Sequence, residues 1–288
     1  MRSPWGVAPA RLSRSAGFLT ENNVVQDLVG IGGSGSGCQQ SKGVRCAVVG
    51  PEAGEESQNS IRERLELVRS RIAAAAERSG RAPEEITLVA VTKGVEISRI
   101  REAVRLGLSH LGENWVQEAL PKVESLGLPV TWHFVGHLQT NKVKEVVPRF
   151  GLIHSLDRDS LAAELVKRAP SAAGGVLEAL LEVNVAEEST KQGVSVEEAV
   201  SFLRKWAGRP QLRILGLMTI APQVEDPEMV RPLFKRLREL ASEIEAEKIP
   251  GVSTKILSMG MSGDYEVAIE EGATMIRLGT SIFGARPH

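Results

Sequence analysis

From about residue 57 onward the chain alternates between two hydrophobic rhythms. Ile61, Leu65, Val68, Ile72 and Ala75 recur at three- and four-residue spacing, which places them on one face of a helix. Ser60 and Glu63 stand where a capping box would start that helix. Short apolar runs follow, each trailed by a segment of helical period. The runs read as strands over Ile86–Thr92, His110–Gly112, Val130–Val135, Leu152–Ser155, Leu177–Val185, Leu212–Met218, Lys255–Leu257 and Thr274–Leu278. The segments between them read as helices over Ile97–Leu106, Val116–Leu126, Lys142–Val147, Ser160–Arg168, Val196–Ala207, Glu228–Glu247 and Tyr265–Glu270, with a very short one starting at Thr280. Alternating strand and helix imply an α/β fold, a parallel sheet with helices outside it. Eight units in about 230 residues suit a (β/α)8 TIM barrel. An open doubly wound sheet shows the same alternation, and the count of eight favours the barrel.

Residues 1–56 have a different texture. Gly30-Ile31-Gly32-Gly33-Ser34-Gly35-Ser36-Gly37 has the composition of a flexible linker. Its glycines satisfy G-x-G-x-x-G, but no helical pattern follows, so the dinucleotide reading lacks its context. Arg2, Arg11 and Arg14 with no acid among the first 20 residues fit a transit peptide, a disordered extension or a mis-assigned start. The expected division is an irregular, low-complexity extension over 1–56 and a single barrel domain over 57–288.

Composition narrows the partners. Lys plus Arg is 35 and Asp plus Glu 36, a net charge of −1. A nucleic-acid binder would be visibly basic. Aromatics are 4%, too few for a base-stacking surface. Cys38 and Cys46 alone make neither a zinc site nor a disulfide scaffold. No apolar run is long enough to span a membrane, and no ordered set of His, Cys and carboxylates indicates a metal. The expectation is a cytoplasmic protein with no nucleic-acid or membrane partner.

The chemistry concentrates at strand ends. Barrel active sites lie at the C-terminal ends of the strands. Lys93 closes the first strand, and a desolvated lysine can form a Schiff base with a carbonyl, although a lysine there can also simply reach water. Asn114 follows the second strand, and His133 and His137 fall at the end of the third. Ser258-Met-Gly-Met-Ser262-Gly263-Asp264 and Gly279-Thr280-Ser281 follow the seventh and eighth. Small residues, hydroxyls and the start of a short helix suit a phosphate, in the place where barrels often hold one, with plain glycine-rich turns as the alternative. Arg277 lies in an otherwise apolar strand and needs a partner, either a carboxylate such as Asp264 or Glu113 or a ligand atom. A lysine, a phosphate cradle and an inward arginine at one mouth point to pyridoxal 5′-phosphate (PLP).

The motifs Leu88-Val-Ala-Val-Thr-Lys93, Gly112-Glu-Asn-Trp-Val-Gln-Glu118, Trp132-His-Phe-Val-Gly136 with Leu138-Gln-Thr-Asn-Lys142, Asn184-Val with Lys191-Gln-Gly193, Gly216-Leu-Met218, Ser258-Met-Gly-Met-Ser262-Gly-Asp and Arg277-Leu-Gly-Thr280 follow in order. Together they resemble the pyridoxal-phosphate homeostasis proteins, single-domain relatives of the alanine racemase barrel. The resemblance runs over about residues 57–286 and implies a fold-type III PLP barrel. It implies Lys93 as the Schiff-base lysine, Arg277 near the pyridine nitrogen, Ser262, Gly279 and Thr280 around the phosphate, and Asn114 near the cofactor. It places His133 close by. An arginine at the ring nitrogen leaves the ring a weak electron sink. Two-base racemisation needs a second acid/base, which a tyrosine from another domain supplies in alanine racemases. The single tyrosine here, Tyr265, is expected to start a helix. The expectation is therefore a PLP-binding protein that stores, buffers or delivers the cofactor, monomeric, with PLP-dependent apoenzymes as possible recipients and no strong catalysis. A PLP-dependent amino-acid racemase is the alternative, and a phosphate-binding barrel without PLP the third.

Overall fold

A computed structural model describes residues 60–188 and 191–285. The expectations for 1–56, the decoy glycines and both cysteines lie outside them. Eight parallel strands close into a barrel in sequence order, from β1 (Thr87–Val91) and β2 (His110–Glu113) to β8 (Met275–Leu278), which pairs back onto β1. Between them run β3 (Thr131–Phe134), β4 (Leu152–Leu156), β5 (Leu177–Glu182), β6 (Leu212–Met218) and β7 (Val252–Ser258).

The helices are α1 (Ile61–Arg78), α2 (Ile97–Arg105), α3 (Val116–Leu126), α4 (Val143–Val146), α5 (Asp159–Arg168), α6 (Val196–Trp206), α7 (Arg231–Ala246), α8 (Tyr265–Glu270) and α9 (Thr280–Phe283). The predicted capping box of α1 forms: Glu63 N donates to Ser60 Oγ (3.3 Å), and Ser60 N to Glu63 Oε2 (2.9 Å). Leu65, Val68 and Ile72 bury the predicted face, and α1 packs on α2, α8 and α9. Each such side chain taken out of water contributes roughly 1.5–3 kcal/mol before the entropy of ordering is subtracted.

Three elements differ from the sequence expectation by more than one residue at an end. β7 begins at Val252 rather than Lys255, because Val252, Ser253 and Thr254 are only half-buried and leave no apolar run to read. β5 stops at Glu182, and Val183 continues only as a bridge to Val194. The start of the predicted 228–247 helix is a separate 3-10 turn over Pro227–Val230, in which Asp226 caps the N–H of Glu228. Among the described residues no helix is long and apolar enough to cross a membrane.

Candidate functional site

A cavity of about 650 Å³ opens where the C-terminal strand ends meet. Lys93, Asn114, Ser262, Arg277, Gly279 and Thr280 all line it, so the six residues singled out from the sequence come together. Ile220 and Val224, on the loop after β6, form part of the wall, and nothing in their local pattern marked them.

Lys93 lies two residues past β1, between residues that are held firmly. Thr92 is buried, and its hydroxyl donates to Glu113 Oε1 (2.5 Å). Lys122, on α3, donates to Thr92 O (2.6 Å), Glu113 Oε1 (2.8 Å) and Glu118 Oε1 (2.7 Å), and Glu118 in turn accepts from Gly94 N. Burial pushes the Glu113 carboxyl upward against the pull of Lys122. The backbone on both sides of Lys93 is thereby fixed to β2 and α3, while Nζ stands 5.6 Å from the centroid of the exposed Trp115 ring.

Arg277 is 5% exposed and finds its partners among oxygens of neighbouring strand ends. Nη1 donates to Ser258 O (2.8 Å) and Ser258 Oγ (2.6 Å), and Nη2 to Thr219 O (2.8 Å). The carboxylate partners anticipated from the sequence are not its ion pairs. Glu113 is taken by Lys122, and Asp264 Oδ1 accepts from Met261 N (2.6 Å), holding the loop after β7. Burial lowers Arg277 to about 10, opposed by the charges of Glu182 and Asp264, so the guanidinium stays charged at neutral pH. A guanidinium has five N–H groups, and the three bonds above leave two for a ligand.

The rim opposite is built from small residues. Ser262 Oγ accepts from Ser281 N (3.3 Å), which ties the loop after β7 to the start of α9. Space is open beside Gly263. Gly260 turns the loop with φ +92°, and a Cβ there would stand 2.7 Å from Ala268 Cβ. On the other side Gly136 presses against Asn114, where a Cβ would lie 2.3 Å from its carbonyl oxygen. That contact seats Asn114, whose Oδ1 is buried without any hydrogen-bond partner. That oxygen belongs to a residue lining the cavity, and a buried acceptor left bare calls for a donor, from water or from a ligand.

His133 does not line the cavity: it is buried inside the barrel and reaches Arg277 only through His154 and Ser258. Tyr265 starts α8, as expected, with its side chain in the core. Sequence reasoning missed Glu182, the last residue of β5, which is 6% exposed. Burial and the Asp157 charge raise it to about 7, against the pull of Arg277 and Arg158. An acid closing the run Leu-Glu-Ala-Leu-Leu-Glu is the signal that could have found it.

Comparison with known proteins gives consistent matches. The family model described as alanine racemase, N-terminal domain, matches residues 64–287. The pyridoxal phosphate homeostasis protein of Aquifex aeolicus is 48% identical over 227 residues, 78% of this chain and 98% of that protein. The protein of the same description from Escherichia coli K12 is 40% identical over 235 residues, 80% of this chain and 98% of that one. PipY of Synechococcus elongatus, in a structure with PLP bound, superposes with a TM-score of 0.68 at 35% identity, covering 78% of this chain and 100% of PipY.

Proposed function

The chain belongs to the pyridoxal phosphate homeostasis proteins, built on the alanine racemase N-terminal barrel, and on that premise we propose that it binds PLP at Lys93 and holds the cofactor for storage, buffering or delivery. The observation that carries this reading is the convergence on one cavity of an amine, a charged guanidinium with unused donors and a rim of hydroxyls and glycines. Its volume lies within the range of about 300–1,000 Å³ common to small-molecule sites. The bare Asn114 Oδ1 and the two unused N–H groups of Arg277 fit a ligand that is polar along its edges.

PLP supplies an aldehyde that a primary amine captures covalently. Lys93 provides that amine from a backbone clamped by Lys122, Glu113 and Glu118. Arg277 stays charged and only donates, so a ring nitrogen held against it would receive a hydrogen bond and no proton. A ring held that way is a weak electron sink, which favours holding the cofactor over using it. Ser262, Gly279 and Thr280 would receive the phosphate, and Asn114 lines the same cavity. Tyr265, turned into the core, is not placed to act as a second base. We place this role in the cytoplasm, in a monomer whose barrel spans 57–288, with residues 1–56 outside the binding unit and PLP-dependent apoenzymes as recipients.

Purified protein incubated with PLP should show a visible absorbance band that Lys93→Ala abolishes. A band that persists in the variant removes Lys93 from the role, and no band in the native protein removes PLP.

A further inference from the structure

Below the cavity a row of polar side chains crosses the barrel interior that the proposed binding role does not use. His110 starts β2, His133 lies in β3, His154 in β4, and Ser258 ends β7. His110 Nδ1 is 2.9 Å from His133 Nε2, His133 Nδ1 is 3.0 Å from His154 Nε2, and His154 Nδ1 is 3.0 Å from Ser258 Oγ. Ser258 Oγ is the atom to which Arg277 donates at 2.6 Å. The row thus joins the cofactor-side arginine to His110, which borders a second cavity of about 370 Å³ at the N-terminal end of the strands. His133 is 2% and His154 0% exposed. Filling a barrel with imidazoles rather than Leu or Val is costly unless every nitrogen is bonded, and here the bonds form one unbroken line.

The arginine gives that line a direction. A guanidinium has no acceptor, so Ser258 Oγ must accept from Arg277. Ser258 Oγ has a second lone pair, but among the described residues the one acceptor bonded to that hydroxyl is His154 Nδ1, so we assign its hydrogen to that nitrogen. A neutral imidazole has one donor and one acceptor, so His154 carries its proton on Nε2 and donates to His133 Nδ1. By the same step His133 donates from Nε2 to His110 Nδ1, and His110 keeps its own Nε2–H for the N-terminal end. Burial, with the neighbouring positive charges, holds His133 at about 3 and His154 well below the ordinary imidazole range, so both are neutral as this pattern needs.

We propose that His110, His133, His154 and Ser258 form a tautomer relay that positions Arg277 and reverses when His110 gains a proton. In the reversed register each hydrogen has moved one bond toward His110: from His133 Nε2 to His110 Nδ1, from His154 Nε2 to His133 Nδ1, and from Ser258 Oγ to His154 Nδ1. One proton from solvent, entering by the cavity that Arg277 lines, restores the Ser258 hydroxyl with its hydrogen turned away from His154. Ser258 Oγ then accepts from both His154 and Arg277, which weakens its hold on the guanidinium. The charged and titratable groups facing the relay are few. Arg69 from α1 and Glu84 from the turn before β1 line the cavity that His110 borders, and His133 from β3 is bonded to its ring. Arg277 is the charge beside His154, and Glu182 and Asp264 are the charges felt by Arg277. The effect on a bound cofactor rests on the PLP reading above, whereas the relay itself exists without ligand.

Nitrogen-15 spectra of the ligand-free protein labelled at histidine read the tautomers directly, with His110→Phe assigning the rings. At pH 7.5 all three rings should be Nε2–H. On acidification His133 and His154 should convert to Nδ1–H with the midpoint at which His110 charges, and should not convert in His110→Phe. An interior ring that is Nδ1–H at pH 7.5, or that keeps its tautomer while His110 titrates, overturns the relay whether or not PLP binds. In the PLP-loaded protein the visible band should shift at the same midpoint in the native chain and not in His110→Phe. An identical pH profile in both removes the link to Arg277.

Discussion

Glu182→Gln isolates the electrostatics around Arg277. Glu182 closes β5 at 6% exposure, raised to about 7 chiefly by burial and next by Asp157. In the unfolded chain a glutamate titrates at about 4.3. The folded state therefore binds the proton more tightly, and stability falls as pH rises from the lower value to the higher. At 1.36 kcal/mol for each pH unit of difference, raising the pH from 5 to 8 should remove about 2–3 kcal/mol through this one group. Glutamine keeps the shape and cannot ionise. Urea unfolding of both proteins at pH 5 and pH 8 gives the difference of differences, and the variant should gain about 2–3 kcal/mol relative to the native chain at pH 8. A native-to-variant gap that stays constant between the two pH values would refute the assignment of a raised carboxyl to Glu182.

Other substitutions probe the parts separately. Lys122→Met leaves Glu113, which is fully buried, without its cation, and should cost about 3–5 kcal/mol in urea unfolding at pH 7; a loss below about 1 kcal/mol would show that the clamp beside Lys93 is unimportant. Gly136→Ala forces a Cβ against the Asn114 carbonyl and should lower stability by about 1–3 kcal/mol while loosening PLP retention, both measurable on one sample by thermal melting and gel filtration. Asn114→Leu removes the bare buried oxygen, so the ligand-free protein should be as stable as the native one or up to about 1–3 kcal/mol more so, while PLP dissociates faster. Slower dissociation would contradict a polar contact there. Incubation with L- or D-alanine should give no turnover at ordinary enzyme rates, and racemisation at such rates would favour the enzyme reading.

The barrel was legible because its strands carry near-continuous apolar runs, which parallel strands buried on both faces require. Lys93 and Arg277 were legible because they terminate or interrupt those runs, Lys93 after Val-Ala-Val-Thr and Arg277 within Met-Ile-Arg-Leu, whereas Asn114, Ser262, Gly279 and Thr280 were legible from the small, polar loops after the strands together with the family resemblance. Contacts set by the closure of the barrel were not. Ser258 and Thr219, rather than a carboxylate, hold Arg277 because β6, β7 and β8 are neighbours in the closed sheet. The relay of His110, His133 and His154 was hidden for the same reason. Each stands on a different strand, and only the pairing of β2 with β3 and of β3 with β4 makes them a line. The lower edge of β7 escaped because Ser253 and Thr254 carry no apolar signal.

The most direct test of the central claim is reductive trapping. Borohydride treatment of the PLP-loaded protein, followed by peptide mass spectrometry, should place a phosphopyridoxyl group on the peptide that contains Lys93 and on no other. A modified lysine elsewhere with Lys93 untouched, or no modified peptide at all, would contradict the account.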